Sequence, residues 1–193
     1  SSATGHTPTS TIGITAVTPS AITGRTEFAS TLTTSNSMAE EQVSFTLEAT
    51  DVAGNSVTVD AVTDGSSVTI DNSAPSVNYL RLSSSGAANT YAKAGEVVTL
   101  DFQSDEELSS ISAITIFESA PDAAPTDLGN NTYRAQYTLQ GTEDNGLVPF
   151  TLNFIDQAGN TLSGNLTALV DDTDGGVIYD DEAPTLERVT ITS

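Results

Sequence analysis

The chain has 193 residues, and its 26 aspartates and glutamates against 5 lysines and arginines give a formal net charge of −21. A charge of this sign repels nucleic-acid phosphates and anionic lipid, which argues against both as partners and favours divalent cations. Cysteine is absent, which excludes disulfides and thiol chemistry. No apolar run approaches the ~20 residues of a membrane helix, so we expect no membrane insertion.

Alternating apolar and polar residues predict strands along the chain, and no segment shows a sustained helical period. The first part has such runs at residues 11–15, 25–32 and 43–50, with a loop at residues 38–42. In the second part we predict strands at residues 76–83, 95–103, 110–118, 123–128, 131–140, 147–155, and 163–170 with 176–179. The core residues predicted for the second part are Val97, Leu100, Phe102, Ile111, Ile114, Ile116, Tyr133, Ala135, Tyr137, Leu139, Phe150, Leu152 and Phe154.

A long phrase occurs twice in the chain. Residues 45–55 read FTLEATDVAGN, and residues 150–160, which lie 105 positions later, read FTLNFIDQAGN. A second phrase also recurs, as DNSAP at residues 71–75 and DEAP at residues 181–184. A period of this size predicts a repeated domain, because the units of solenoids and propellers are shorter. Tandem copies of one small domain are typical of stalks, sheaths and binding arrays.

The predicted fold class is all-β, with tandem immunoglobulin-like β-sandwiches. We expect a first domain at residues 1–73 that is incomplete at its N-terminus, because nothing in it aligns to the first two strands of the second copy. A complete domain follows at residues 74–182, and residues 183–193 form a surplus C-terminal strand that matches residues 75–83. Two explanations stay open. The chain is an excerpt of a longer array, or the tail strand of one subunit completes the deficient domain of the next.

The second copy resembles the bacterial immunoglobulin-like repeats of giant secreted surface proteins, and related repeats of archaeal surface proteins. The resemblance rests on KAGEVVTLDF at residues 93–102, SDEEL at 104–108, NTYRAQYTL at 131–139, and the two recurring phrases. It covers the whole second copy and the first copy from residue 11 onward. The second copy departs from the DGSSVTID phrase of residues 64–71, since it has DGGVIYD at 174–180. The resemblance implies an extracellular structural role.

Carboxylates are the candidate site residues. In an immunoglobulin-like strand order, the loops after strands 95–103 and 147–155 reach the end of the domain where the linker arrives. This predicts a Ca²⁺ site, because calcium takes six to eight oxygen ligands. The predicted ligands are Asp71, Asn72, Asp105, Glu106, Glu107, Asp156 and Asn160. Counterparts are Asp51 with Asn55 in the first copy, and Asp180, Asp181 and Glu182 toward a third copy. The alternative is that Asp51 and Asp156 only shape their turns.

The sequence argues against an enzyme. The single histidine, His6, lies in a polar segment outside the domain pattern, so no Ser-His-Asp set can form in the second copy. The chain has no tryptophan, which leaves little material for the aromatic cleft of a glycosidase. Asn130 and Asn165 each begin an Asn-x-Thr triplet that matches the glycosylation pattern.

We therefore expect an extracellular structural repeat that acts as a rigid spacer or building block of a cell-surface adhesin, sheath or filament. Cations at the joints between domains would set its stiffness. The alternatives are a filament subunit that polymerises by donor-strand complementation, and an adhesin module that binds a glycan or a receptor. The expected partners are neighbouring repeats or copies of the chain itself, head to tail, with surface glycans as a further candidate.

Overall fold

A computed structural model describes residues 9–12, 15–17, 20–21, 28–51 and 53–191 of the chain. Every regular element in these residues is a strand, which confirms the all-β prediction at that level. The chain divides into two compact units, Ser1–Asn72 and Ser73–Ser193, called the first and the second unit. The described residues contain no helix with the length and apolarity to cross a membrane.

The first unit contains two antiparallel sheets. Its strands are β1 (Thr9–Ile12), β2 (Thr15–Val17), β3 (Ser20–Ala21), β4 (Phe28–Ala29), β5 (Phe45–Thr50) and β6 (Ser56–Val59). The larger sheet has the order β2-β1-β5-β6, and β3 pairs with β4. The predicted strand 25–32 and His6 fall wholly or partly outside the described residues. Residues 38–42 form turns and an isolated bridge, as the loop prediction requires.

The second unit contains three sheets. Its strands are β7 (Val77–Ser84), β8 (Tyr91–Ala92), β9 (Val97–Ser104), β10 (Leu108–Ile116), β11 (Thr126–Gly129), β12 (Thr132–Thr138), β13 (Gly146–Leu147), β14 (Phe150–Asp156) and β15 (Ile178–Tyr179). A four-stranded sheet has the order β11-β12-β9-β7, β10 pairs with β14, and a small sheet has the order β13-β15-β8. Every pairing is antiparallel except that of β15 with β8. Opposed antiparallel sheets of this kind fit a β-sandwich.

The core of the second unit follows from strand alternation. In β9 every second residue is buried, because successive side chains of a strand point to opposite faces. Phe102 is fully buried, and its ring stacks on Tyr133 at 5.3 Å and on Phe154 at 5.6 Å between centroids. Phe102 and Tyr133 belong to the four-stranded sheet and Phe154 belongs to β14, so the aromatic stack joins the two sheets.

Residues 161–170 close the second unit without forming a regular strand. Leu166 exchanges backbone hydrogen bonds of 2.8 and 3.0 Å with Leu152 of β14. Four residues later, Val170 exchanges bonds of 2.9 and 3.1 Å with Leu80 of β7. This segment therefore covers one edge of each main sheet. Three consecutive residues of β14, Leu152, Asn153 and Phe154, are buried, so both faces of this strand are covered.

The two ends of the second unit leave from opposite ends of β9. Asp105, at the C-terminal end of β9, accepts bonds from Ser76 at the start of the unit. Ala94, which precedes β9, donates to Asp181 at the exit of the chain. β9 has eight residues. At the usual rise of a strand it is about 23 Å long. We call the end with Ser76 and Asp105 the entry pole, and the end with Ala94 and Asp181 the exit pole.

Two sequence predictions need correction in detail. Val98 is fully buried and Val97 only half-buried, because strict alternation through Leu100 selects the even-numbered residues. The predicted strand 163–170 makes only isolated bridges, and the following strand is limited to Ile178–Tyr179.

Residues 183–191 pair with no strand among the described residues of their own chain, and the side chains of Leu186, Val189 and Ile191 are 86%, 76% and 94% exposed. Pairing of this segment with a following domain or with another subunit stays a prediction.

Candidate functional site

The two Asp-x-Ala-Gly-Asn loops share the two hydrogen bonds that the asparagine donates to the aspartate, and they differ in the third. In the first unit, Asp51 Oδ1 accepts the backbone N–H groups of Ala53 and Asn55 at 2.9 and 2.8 Å, and Oδ2 accepts Asn55 Nδ2 at 2.8 Å. In the second unit, Asp156 Oδ1 accepts the N–H groups of Gly159 and Asn160 at 2.6 and 2.8 Å, and Oδ2 accepts Asn160 Nδ2 at 2.9 Å. Both aspartates shape their turns, as the alternative interpretation of these residues requires.

Burial distinguishes the two aspartates. Asp51 is exposed, and the bonds from the Asn55 side chain and backbone lower the pKa of its carboxyl below the ordinary value. Asp156 is 0% exposed and is the last residue of the buried strand β14. The fourth residue of each loop is a glycine with a positive φ, 92° at Gly54 and 97° at Gly159, and this backbone conformation favours glycine. A buried carboxylate with three donors is well satisfied, so Asp156 has a structural role whatever else it binds.

Glu106 and Asp156 meet at the entry pole. A carboxylate oxygen of Glu106 lies within 4.8 Å of one of Asp156. Two oxygens that ligate one calcium ion at about 2.4 Å each are separated by no more than about 4.8 Å, so this pair fits the span of a single ion. Three of the roughly four lone-pair positions of the Asp156 carboxylate already accept protein donors.

Asp105 is committed to the start of the unit. Its Oδ1 accepts the backbone N–H of Ser76 at 2.8 Å, and its Oδ2 accepts the Ser76 hydroxyl at 2.7 Å. Partial burial raises the pKa of Asp105, but the two bonds from Ser76 outweigh it and hold that pKa below the ordinary value. The carboxylate thus anchors the first residues of the second unit to the loop after β9.

Of the other predicted ligands, Asp71 and Asn72 belong to the first unit and Glu107 belongs to the second. The side-chain amide of Asn72 donates to the carbonyl of Met38, and its backbone N–H donates to Glu40. Glu107 is exposed in the loop after β9. The participation of Asp71 and Asn72 in a calcium site stays a prediction.

At the exit pole, the carboxylates of Asp180 and Asp181 each accept a backbone N–H group. Asp181 Oδ1 accepts the N–H of Ala94 at 3.2 Å, and its own N–H donates to Asn145 Oδ1 at 3.1 Å. Asp180 Oδ1 accepts the N–H of Glu182 at 3.0 Å. These bonds fix the direction in which the chain leaves the unit.

Glu143 is an important carboxylate that sequence reasoning missed. It accepts the N–H groups of Gln140, Gly141 and Thr142 at 2.9 to 3.1 Å, and the Tyr137 hydroxyl at 2.9 Å. Partial burial raises the pKa of Glu143, but these donors outweigh it and the pKa is lowered overall. The signal in the sequence was the position of Glu143, two residues after Gly141 in a short loop between strands, where a carboxylate can accept backbone N–H groups. The carboxylate holds the loop between β12 and β13 closed.

The glycosylation triplets are both at the surface. Asn130 is exposed, has a φ of 52°, and lies in the turn between β11 and β12. Asn165 is exposed as well, but its Oδ1 accepts the amide of buried Asn153 at 2.9 Å. Modification at either asparagine stays a prediction.

No protein-family model matches this chain, and no curated protein matches it significantly. The function is therefore argued from the geometry of the chain alone.

Replacing Asp156 with alanine should destabilise the second unit. The change removes a buried carboxylate that accepts three hydrogen bonds and leaves empty space where its side chain packs, which we expect to lower the free energy of unfolding by about 2–4 kcal/mol. Chemical denaturation followed by tyrosine fluorescence measures this loss. Asp51→Ala is the matched control, because it removes the corresponding bonds from an exposed loop and should cost less. Equal losses for the two variants would contradict a special role of burial.

Calcium binding at the entry pole is tested with Glu106→Gln, which leaves the loop bonds of Asp156 in place. If the ion binds there, added Ca²⁺ should raise the melting temperature of the native chain through linkage, and a chelator should reverse the rise. The Glu106→Gln variant should show little of this response, while Glu118→Gln, at the other end of β10, should retain it. A melting curve that ignores both Ca²⁺ and chelator refutes the site.

Glu143 should make the second unit sensitive to acid. Its pKa is lower in the folded chain than in the unfolded chain, so its contribution to stability is complete above the unfolded pKa and is lost as the pH falls through the folded value. At pH 7 we expect Glu143→Gln to lower the melting temperature by about 4 °C. The difference should shrink as the pH falls below the ordinary pKa of a glutamate. Asp144→Asn removes the same charge from the next, exposed residue and should change little. A deficit that is constant with pH would contradict this origin.

Proposed function

We propose that this chain carries two copies of one immunoglobulin-like β-sandwich and serves as an extracellular structural repeat. In this role it is a rigid spacer or building block of a cell-surface adhesin, sheath or filament. The observation that carries the proposal is the position of the two ends of the second unit. The chain enters at Ser76 and leaves at Asp181, at opposite ends of β9, so a pull on the chain acts along the strands.

Equivalent hydrogen bonds in the two units support the repeat. The loop bonds of Asp51 recur at Asp156, 105 positions later. The bond from Val43 N to the Val68 carbonyl, 2.8 Å long, recurs between Val148 N and the Val177 carbonyl at 2.8 Å. Residues that share both sequence phrases and backbone bonds are well explained as copies of one domain.

The arrangement of the strands favours resistance to extension. β7, at the entry, is bonded along its length to β9, and the bridge between Leu80 and Val170 holds its other edge. β15, at the exit, runs parallel to β8, with bonds from Ile178 N to the Thr90 carbonyl at 2.8 Å and from Asp180 N to the Ala92 carbonyl at 2.9 Å. A pull on the two ends loads these bonds in shear, so several must break together.

The two alternatives from the sequence have different support. Leu186, Val189 and Ile191 are exposed, so residues 184–191 are accessible to a partner. This accessibility supports strand donation. A glycan-binding module needs aromatic rings at the surface for stacking. Among the aromatic side chains whose exposure the structure describes, Tyr91 is the one exposed, so this alternative has less to support it.

Single-molecule pulling tests the mechanical role. Ile178→Pro removes the N–H that bonds Thr90 and should lower the peak unfolding force of the second unit, because proline deletes one bond of the exit pairing. Ile178→Thr keeps the N–H and is the matched control, with a force close to that of the native chain. If the second unit extends at low force in the native chain, or if the proline variant resists as strongly as the control, the load-bearing role is wrong.

A further inference from the structure

A row of apolar side chains lies on the outer face of the small sheet at the exit pole. The register places Leu147 beside Ile178, and Ile178 beside Tyr91. These three residues are 64%, 38% and 53% exposed, whereas Tyr179 and Ala92, which alternate with them, are 1% and 4% exposed. We call Leu147, Ile178 and Tyr91 the exit row. Adjacent strands are about 4.8 Å apart, so the row is continuous.

The exit row extends into a groove. A groove of 450 Å³ beside it is lined by Leu147 together with Leu82, Phe150, Leu169 and other residues. The position that a Cβ would take at Gly176 is 3.4 Å from Leu147 Cδ1 and 3.1 Å from Leu169 Cδ1. Leu147 therefore belongs to both surfaces, and the row and the groove form one apolar patch. Contiguous apolar patches rimmed by polar residues mark interaction sites more often than isolated apolar residues do.

The first unit provides an internal comparison. Its equivalent bridge joins Gln42 to Thr69, which correspond to Leu147 and Ile178 at offsets of 105 and 109 positions. Gln42 and Thr69 are exposed and polar at a bridge with the same backbone geometry. The fold therefore does not require apolar residues at these two positions. Their presence in the second unit needs another explanation, and a partner surface supplies one.

Residues 184–191 have the chemistry to cover the exit row. Leu186, Val189 and Ile191 lie 109 positions after Val77, Leu80 and Leu82 of β7, all of which pack in the core. The side chains in residues 184–191 are exposed, so this segment presents the apolar pattern of β7 at the surface of the chain. It carries Glu187 and Arg188, so it has no net charge in a chain of net charge −21.

Charge favours the same pairing. Arg188 makes no ion pair within the described residues, whereas Arg81 and Arg134 bind Asp171 and Asp101. Carboxylates lie close to the exit row along the chain: Glu143 and Asp144 precede β13, and Asp180 and Asp181 directly follow β15. A guanidinium brought to this pole would meet negative charge, which adds selectivity to the apolar contact.

We propose that a second copy of this chain binds at the exit row, and that residues 184–191 of that copy cover the row and its groove. The contact goes beyond the proposed structural role, since it holds whether or not the second unit resists force. It places the association at the exit pole of the second unit rather than in the first unit. Both surfaces are present in each copy, so the contact can be reciprocal in a dimer.

Association is measured on the full chain by sedimentation over a range of concentrations. We expect self-association in the native chain. The double variant Leu147→Gln with Ile178→Thr carries the residues of the first unit's bridge and should weaken association by about tenfold or more. Arg188→Glu should weaken it as well. A chain that stays monomeric at every concentration overturns the proposal, and so does a double variant that associates as strongly as the native chain while keeping its melting temperature.

Cross-linking identifies the surface that the segment occupies. The chain has no cysteine, so single engineered cysteines react cleanly with a short bismaleimide. A mixture of Val189→Cys and Leu147→Cys copies should give a heterodimer. The matched control pairs Val189→Cys with Leu128→Cys, which is 48% exposed in edge strand β11 and should give little product. Preferential cross-linking of Val189→Cys to Val62→Cys, which lies in a groove of the first unit, would show strand donation there and overturn the proposal.

Discussion

Most of the structure depends on one constraint, which is that the carboxylates greatly outnumber the cationic side chains. With 26 acidic and 5 basic residues, ion pairs can satisfy few of the acids. Within the described residues the structure shows two such pairs, at Asp101 and Asp171. The other carboxylates with bonds described above accept backbone N–H groups instead. Asp51, Asp105, Glu143, Asp156 and Asp181 all do so, and each closes a loop or anchors a chain segment.

This use of carboxylates changes the interpretation of the acidic entry pole. From the sequence, a concentration of acids at one end of a domain suggests a metal. In the structure, Asp105 holds Ser76 and Asp156 holds its own loop, so two of the acids stabilise the backbone without an ion. Bonds to a carboxylate are stronger than neutral bonds, so each of these acids holds its segment firmly. Metal binding at Glu106 and Asp156 would add to this arrangement rather than replace it.

Alternation in the sequence predicted the strands well where one face is buried. β7, β9 and β12 follow their predicted ranges closely, because period two leaves one choice of inner face. It was less informative where both faces are covered. Asn153 is a buried polar residue of β14 whose amide donates to Gly164 and Asn165, and these partners lie in a segment without regular strand structure. Pairing of that kind depends on tertiary contacts that a local pattern does not contain.

The candidate site residues also fall into two groups: those that the local sequence indicates, and those that only tertiary contacts reveal. The sequence selected Asp51 and Asp156 because they recur in a phrase, and their turn role follows from residue type. It did not select Glu143, whose partners are the backbone of its own loop and Tyr137. It also did not indicate the exit row, since Tyr91, Leu147 and Ile178 come from three separate regions and meet only through strand pairing.

The bridge between Leu80 and Val170 has a consequence for the synthesis of the protein. The paired residues are 90 positions apart, and β8 pairs with β15 over a similar separation. Closing such a loop is entropically costly, and folds with many distant contacts acquire their structure slowly. The nascent chain must therefore emerge from the ribosome as far as Tyr179 before the second unit can complete its sheets. Until then, Leu80 and Leu82 of β7 are not fully buried. The strong negative charge of the chain makes neighbouring chains repel one another and so opposes aggregation during this interval.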